Sequence, residues 1–282
     1  MDSLRAVRQW PVDTVAVAVV DASGTVLGSQ GPQNRPFPLA SVTKLLSAYA
    51  VLLAVQEGAL DWDHPAGPAG ATVRHLLAHA SGLAFDTQQV SAALGTKRIY
   101  SNTGFAALAE VVTAESGIPF ADYLADGVFA PLGMAASQLV GSAAAGAVSS
   151  CADLARFAAE LLAPTLLAPQ LLAQATQVAY PGLDGVLPGY GMQRPNDWGL
   201  GFELRDHKSP HWTGSRNSPA TFGHFGQSGT FLWVDPVVGA ACIALTDRDF
   251  GPWARQTWPP FSDAVLAELP AHPRSAHPDS MR

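Results

Sequence analysis

The sequence is poor in lysine, in cysteine and in charge altogether. Three of its 282 residues are lysine (Lys44, Lys97, Lys208), two are cysteine (Cys151, Cys242), and 14% are charged. Two cysteines are too few for a disulfide framework and read as a reduced, buried pair. With 23 acidic against 16 basic residues, the net charge of -7 argues against a nucleic acid or a membrane surface as partner. A small-molecule substrate fits that balance better. Long apolar runs are missing near the start: Val15 to Val20 is bracketed by Asp13 and Asp21 and is too short for a signal core or a membrane span. The chain as written is therefore expected to be cytoplasmic, the alternative being an exported protein whose leader has been removed. Gly-x-Ser-x-Gly does not occur, which removes the usual nucleophile elbow of α/β hydrolases. Neither a phosphate-cradling Gly-x-x-x-x-Gly-Lys loop nor a Gly-x-Gly-x-x-Gly turn is present. Oligomeric state has no signature in the sequence.

What is present is enough apolar residue, 48%, for a large core in one or two domains. Thr14 to Val20 and Thr25 to Leu27, joined by Asp21-Ala-Ser-Gly24, predict a β-hairpin. From Asp61 to about Pro195 the pattern changes to helical pieces punctuated by Gly and Pro. Thr72 is expected to cap Val73 to His79, Asn102 or Thr103 to cap Gly104 to Ser116, and Asp122 to Leu132 and Asp153 to Leu162 follow. Strand character returns at Leu200 to Leu204, then at Gly229 to Val234 and Ala240 to Leu245 as a second hairpin. Ser262 to Leu269 reads as a closing helix and the tail after Pro270 as frayed. Strands at both ends with helices between predict an α/β (α+β) fold. An antiparallel sheet is built from residues 1–60 and 196–282 and flanked by helices, a mostly α-helical domain is inserted at 61–195, and the active site lies in the cleft between them.

The motif around which the rest is arranged is Phe37-Pro-Leu-Ala-Ser41-Val-Thr-Lys44, followed by the apolar run to Val55. Pro38 suits the approach to a helix, and the residues after it are helix formers up to Gly58. Ser41 and Lys44 would share a face at the start of a buried helix, where free backbone N–H groups favour negative charge on a nearby oxygen. A lysine in such a place has its pKa lowered by desolvation and can accept the serine proton. Tyr100-Ser-Asn102 offers a phenol and an amide before the next helix. The glycine-rich stretch Phe222-Gly-His224-Phe225-Gly226-Gln227-Ser-Gly229 is where a ligand could approach backbone closely. Read singly, the last two are as well explained by a helix cap and by a glycine loop entering a hairpin.

Taken in order, Ser41-Val-Thr-Lys44, Tyr100-Ser-Asn102 and His224-Phe-Gly226 resemble the serine β-lactamase and penicillin-binding-protein superfamily, more narrowly its class C β-lactamase, D,D-peptidase and family-VIII esterase branch. Four further stretches carry the likeness along the chain to Leu269: Thr72 to Leu83, Gly146 to Phe157, Trp198 to Phe202 and Leu232 to Pro236. The resemblance implies a β-lactamase/transpeptidase-like fold and hydrolysis through an acyl-enzyme on an ester, amide or β-lactam carbonyl, with no cofactor and no metal. It implies Ser41 as nucleophile, Lys44 and Tyr100 sharing proton transfer, and the backbone N–H groups of Ser41 and Gln227 as oxyanion hole. Asn102 would orient substrate or Lys44, and His224, Phe225 and Gly226 would contact substrate. An alternative is a penicillin-binding sensor that is acylated without turnover.

Two departures stand out. Relatives usually carry Lys-Thr-Gly or His-Thr-Gly in the third element, where the hydroxyl helps to bind a substrate carboxylate, and Phe225 takes the threonine's place. Its loss removes a charge-assisted hydrogen bond worth about 1.5–3 kcal/mol, and a neutral His224 weakens the anion site further. An uncharged ester, amide or small lactam is the better expectation, and Phe225→Thr is expected to raise activity on carboxylate-bearing β-lactams. The chain is also short for the branch, so a cleft wall is expected to be missing. A zinc site at His75-Leu-Leu-Ala-His79, with its two histidines on one helix face, lacks the neighbouring glutamate and an obvious third ligand.

Overall fold

A computed structural model describes residues 1–269, so the tail expected to fray lies outside the described residues. After a 3-10 segment at Ser3–Gln9 the chain forms β1 (Val15–Asp21), β2 (Val26–Gln30) and β3 (Pro36–Pro38). A 3-10 turn at Ala40–Val42 then runs into α1 (Thr43–Gln56). The middle of the chain gives α2 (Val73–Leu77), α3 (Asn102–Ser116), α4 (Phe120–Leu124), β4 (Gln138–Leu139), β5 (Ala147–Ser150), α5 (Cys151–Leu162) and α6 (Pro169–Ala175). It continues as β6 (Gly185–Leu187), β7 (Gly191–Gln193) and β8 (Glu203–Leu204), and closes with β9 (Phe222–Gly226), β10 (Thr230–Asp235), β11 (Ala240–Thr246) and α7 (Pro252–Glu268).

The fold is mixed α/β, and its largest sheet has six strands in the order β2-β1-β11-β10-β9-β8, all neighbours antiparallel. Both chain ends feed it: β1 pairs with β11, Val15 opposite Thr246 and Asp21 opposite Ala240. Both expected hairpins are present, because each couples apolar strands to a short polar or Gly-containing turn. The sheet has two covered faces, so β11 is buried along its whole length. One face carries Ala18, Leu232, Val234 and Ile243 against the helical layer of α1 and α5; the other carries Val17, Phe231, Trp233 and Cys242 against Trp258, Phe261 and Val265 of α7. α5, which belongs to the 61–195 segment, lies directly on β1, β10 and β11.

Three local expectations are corrected. The cap of α3 is Ser101, whose Oγ accepts from the Gly104 N–H at 3.1 Å, so neither Asn102 nor Thr103 serves that purpose. α7 begins ten residues before Ser262 despite Pro259 and Pro260. Those prolines release the carbonyls of Arg255 and Gln256, both exposed residues, while Trp253, Trp258 and Phe261 are buried on the opposite side. The Phe222 to Gly226 stretch is itself a strand, β9, paired with β8 and β10.

Candidate active site

Every residue from Thr43 to Ala54 is buried, so α1 runs through the core and Lys44 enters it at the first turn. The turn before it is held from several sides. Leu39 donates its N–H to Ala147 at 2.9 Å, the Pro38 carbonyl accepts from Ser228 Oγ at 2.7 Å, and the Leu39 carbonyl accepts from Thr230 Oγ1 at 2.9 Å. Ala40 sits at φ 45°, an uncommon region for alanine that costs about 1–2 kcal/mol. These bonds hold it there, and they place Ser41 against the end of β9. Gly226 is required at that contact, since a Cβ on it would lie 2.3 Å from the Leu39 carbonyl oxygen.

Around Ser41 the expected side chains converge. Tyr100 donates its hydroxyl to Ser41 Oγ at 2.7 Å, and Lys44 Nζ lies 3.4 Å from the same oxygen. Lys44 also donates to Asn102 Oδ1 at 2.6 Å and to the Ala144 carbonyl at 2.9 Å, and its Nζ is 4.6 Å from the centre of the Tyr100 ring. Burial brings the Lys44 pKa down to about 7, against the opposing influence of Asp86. A neutral amine has two N–H donors and one lone pair. The two carbonyl-type oxygens take both donors, which leaves the lone pair for the Ser41 hydroxyl. Burial raises the Tyr100 pKa, with the Ser41 hydrogen bond opposing, so the side chain is a phenol at neutral pH and not a phenolate.

Tyr100 is fixed by rings on several sides. Phe85 stacks on it at 5.8 Å, and His79, Trp198 and His224 lie 4.8, 5.8 and 5.6 Å from it, centre to centre. His224 lies opposite Leu232 on the face of β9 turned to the helical layer. Its Nδ1 donates to the Phe225 carbonyl at 2.6 Å, and burial, with Lys44 adding to it, lowers its pKa to about 3, so the ring is neutral. Phe225 is turned to the opposite face of β9 from His224. Successive residues of a strand face opposite ways, and Phe225 lies opposite Phe231 in an aromatic cluster with Trp212, Phe250 and Trp258, 6% exposed. Gln227 follows β9 beside the Ser41 turn and is exposed.

Sequence reasoning missed Asp86, which accepts from Asn102 Nδ2 at 2.7 Å and so fixes which end of that amide faces Lys44. A lone aspartate in a loop gives no sequence pattern that could have found it. His75 and His79 do not share a helix face: α2 stops at Leu77 and His79 has φ 53°. His75 stacks on Tyr180, whereas His79 is buried under Tyr100 and accepts the Ser101 N–H.

A family model described as Beta-lactamase matches residues 7–267. The chain is 57% identical to a beta-lactamase from Mycobacterium bovis of known structure, covering 95% of this chain and 99% of that one with a TM-score of 0.93. EstCE1, described as a hydrolase with promiscuous acyltransferase activity, shares the fold at 17% identity and TM-score 0.75, covering 93% and 96%. Penicillin-binding protein 4* of Bacillus subtilis is 28% identical over 36% of this chain, and the match spans 30% of that protein's length. No helix among the described residues is long and apolar enough to cross a membrane.

Proposed function

The chain belongs to the beta-lactamase family, whose fold and relatives support a serine hydrolase function, and from that premise we propose that it cleaves an uncharged carboxylic ester through an acyl-enzyme on Ser41. The observation that carries this reading is the pair of contacts to Ser41 Oγ, 2.7 Å from the Tyr100 hydroxyl and 3.4 Å from a lysine whose pKa is about 7. Lys44 takes the Ser41 proton as Oγ attacks the carbonyl carbon, and the backbone N–H groups of Ser41 and Gln227 receive the oxyanion. The proton then passes to the leaving oxygen, with Tyr100 as the nearest hydroxyl donor. Water reverses the sequence to release the acid.

An uncharged substrate is favoured over one with a carboxylate because Lys44, His224 and Arg98 offer it no free charge. Lys44 is fully buried, His224 is neutral, and the Arg98 guanidinium donates to the carbonyls of Ala78, Ala179, Tyr180 and Asn196. A carboxylate would lose its water without gaining a charged partner. The test is turnover of p-nitrophenyl acetate and of a chromogenic cephalosporin by the wild type and by Ser41→Ala. Turnover of the ester, faster than of the cephalosporin and reduced at least a thousandfold in Ser41→Ala with the fold unchanged, is expected. Ester cleavage retained in that variant would refute the assignment.

A further inference from the structure

Beside Tyr100 opens a cavity of about 400 Å³ lined by Phe85, Arg98, Ile99, Tyr100, Val186 and Pro188. Two other cavities of similar volume, one around Ala18 and Ala159 and one around Leu161 and Pro236, share no residue with the site. The lining beside Tyr100 is hydrocarbon. Arg98 is 2% exposed, and its charged end is turned away to four carbonyls. Phe85 and Val186 are 51% and 52% exposed, and Met192, which lies opposite Val186 across β6 and β7, is 53% exposed. Soluble surfaces rarely leave large apolar side chains grouped in this way without a ligand to cover them.

The wall is built to stay in place. Arg98 donates its N–H to the Asp184 carbonyl at 2.9 Å and bridges to Gly185 in parallel fashion, which ties β6 to the segment carrying Tyr100. A Cβ at position 185 would lie 2.2 Å from the Arg98 carbonyl oxygen, so only glycine permits this approach. On the other side, the Phe85 carbonyl accepts the N–H groups of Asn102 and Thr103 at 2.7 and 3.3 Å. Cavity and catalytic tyrosine therefore move as one piece.

We infer that this cavity holds the alcohol part of the ester, and that the preferred substrates are esters of apolar, alkyl or aryl alcohols. The inference rests on the hydrolase reading above. Oγ of Ser41 forms its bond to the carbonyl carbon while the bond from that carbon to the leaving oxygen breaks. The proton lost by Ser41 to Lys44 is returned to the leaving oxygen, which departs as a neutral alcohol. Tyr100, the hydroxyl 2.7 Å from Oγ, is the donor closest to that departing oxygen and is also a wall of the cavity. A substituent on the leaving oxygen runs along the Tyr100 ring toward Ile99, Val186 and Pro188.

The test follows acid release from two ester series: acetates of ethanol, butanol, hexanol and octanol, and ethyl esters of the matching straight-chain acids. The kcat/KM of the acetates is expected to rise about three- to fourfold per methylene until the cavity is filled, while the ethyl esters of longer acids stay level. Val186→Asp lowers the octyl-to-ethyl acetate ratio at least tenfold, and the milder Val186→Ser lowers it in the same direction. Ethyl acetate cleaved with no gain along the alcohol series, or a gain along the acid series instead, overturns the cavity assignment and leaves the hydrolase intact. Cleavage of no ester at all overturns the hydrolase reading and this one with it.

Discussion

At Lys44 two influences oppose each other: burial drives the ammonium to lose its proton, and Asp86 pulls toward keeping it. The result, about 7, is close to where a base is most useful, since about half of it is free of its proton at pH 7 and can still accept one. The acylation rate should accordingly rise as pH increases through about 7. Asp86→Asn keeps an acceptor for Asn102 but removes the charge that holds the Lys44 pKa up, so the acid limb of kcat/KM moves to lower pH. A plain loss of structure would lower the plateau without moving the limb, and an unmoved limb in a folded variant would show that Asp86 does not act through Lys44. Of the residues in the site, Ser41, Lys44, Tyr100 and Asn102 were legible in the sequence because two short motifs carry them. Asp86 was not, because its role depends on a loop fold that brings it 2.7 Å from an amide 16 residues on.

Among the elements, those set by local rules were readable and those set by packing were not. The two hairpins and the stop of α3 at Gly117, φ 71°, follow from turn and cap chemistry. The extent of α7 does not, since its two prolines argue against a helix that three buried aromatic residues hold in place. β9 was concealed by its glycines, and with it the direction of Phe225. From that direction a second outcome of Phe225→Thr is predicted, a loss of packing. The ring lies on the face of β9 opposite His224, in the apolar cluster with Trp212, Trp258 and Phe231, so its truncation opens a cavity there and costs about 3–5 kcal/mol. Thermal unfolding of the variant should show a large drop in Tm and its cephalosporin activity no gain. A gain without loss of stability would place Phe225 in the cleft.

On the scale of the whole molecule, the site lies at the seam where sequence-distant parts meet. Pro38 and Leu39 are bonded to Ser228 and Thr230, some 190 residues away, and Lys44 to Ala144, 100 residues away. No local pattern encodes such contacts, which is why the sequence gives the pieces of the site in order but not the bonds that assemble them. The same core joins both parts of the chain: Leu45 and Val51 of α1, Leu154 of α5 and Ile243 of β11 belong to one cluster. Strain at Ala40, the buried amine and the ring-locked phenol are held together by that shared packing, and the proposed acylation of Ser41 depends on all three. The most direct test is rapid-quench intact-mass analysis of the enzyme mixed with excess p-nitrophenyl acetate across a pH range. An acetyl group on Ser41, forming at a rate that climbs through pH 7 and levels above it, is the predicted result. An unmodified Ser41 during turnover, or an adduct forming at a rate independent of pH, would contradict it.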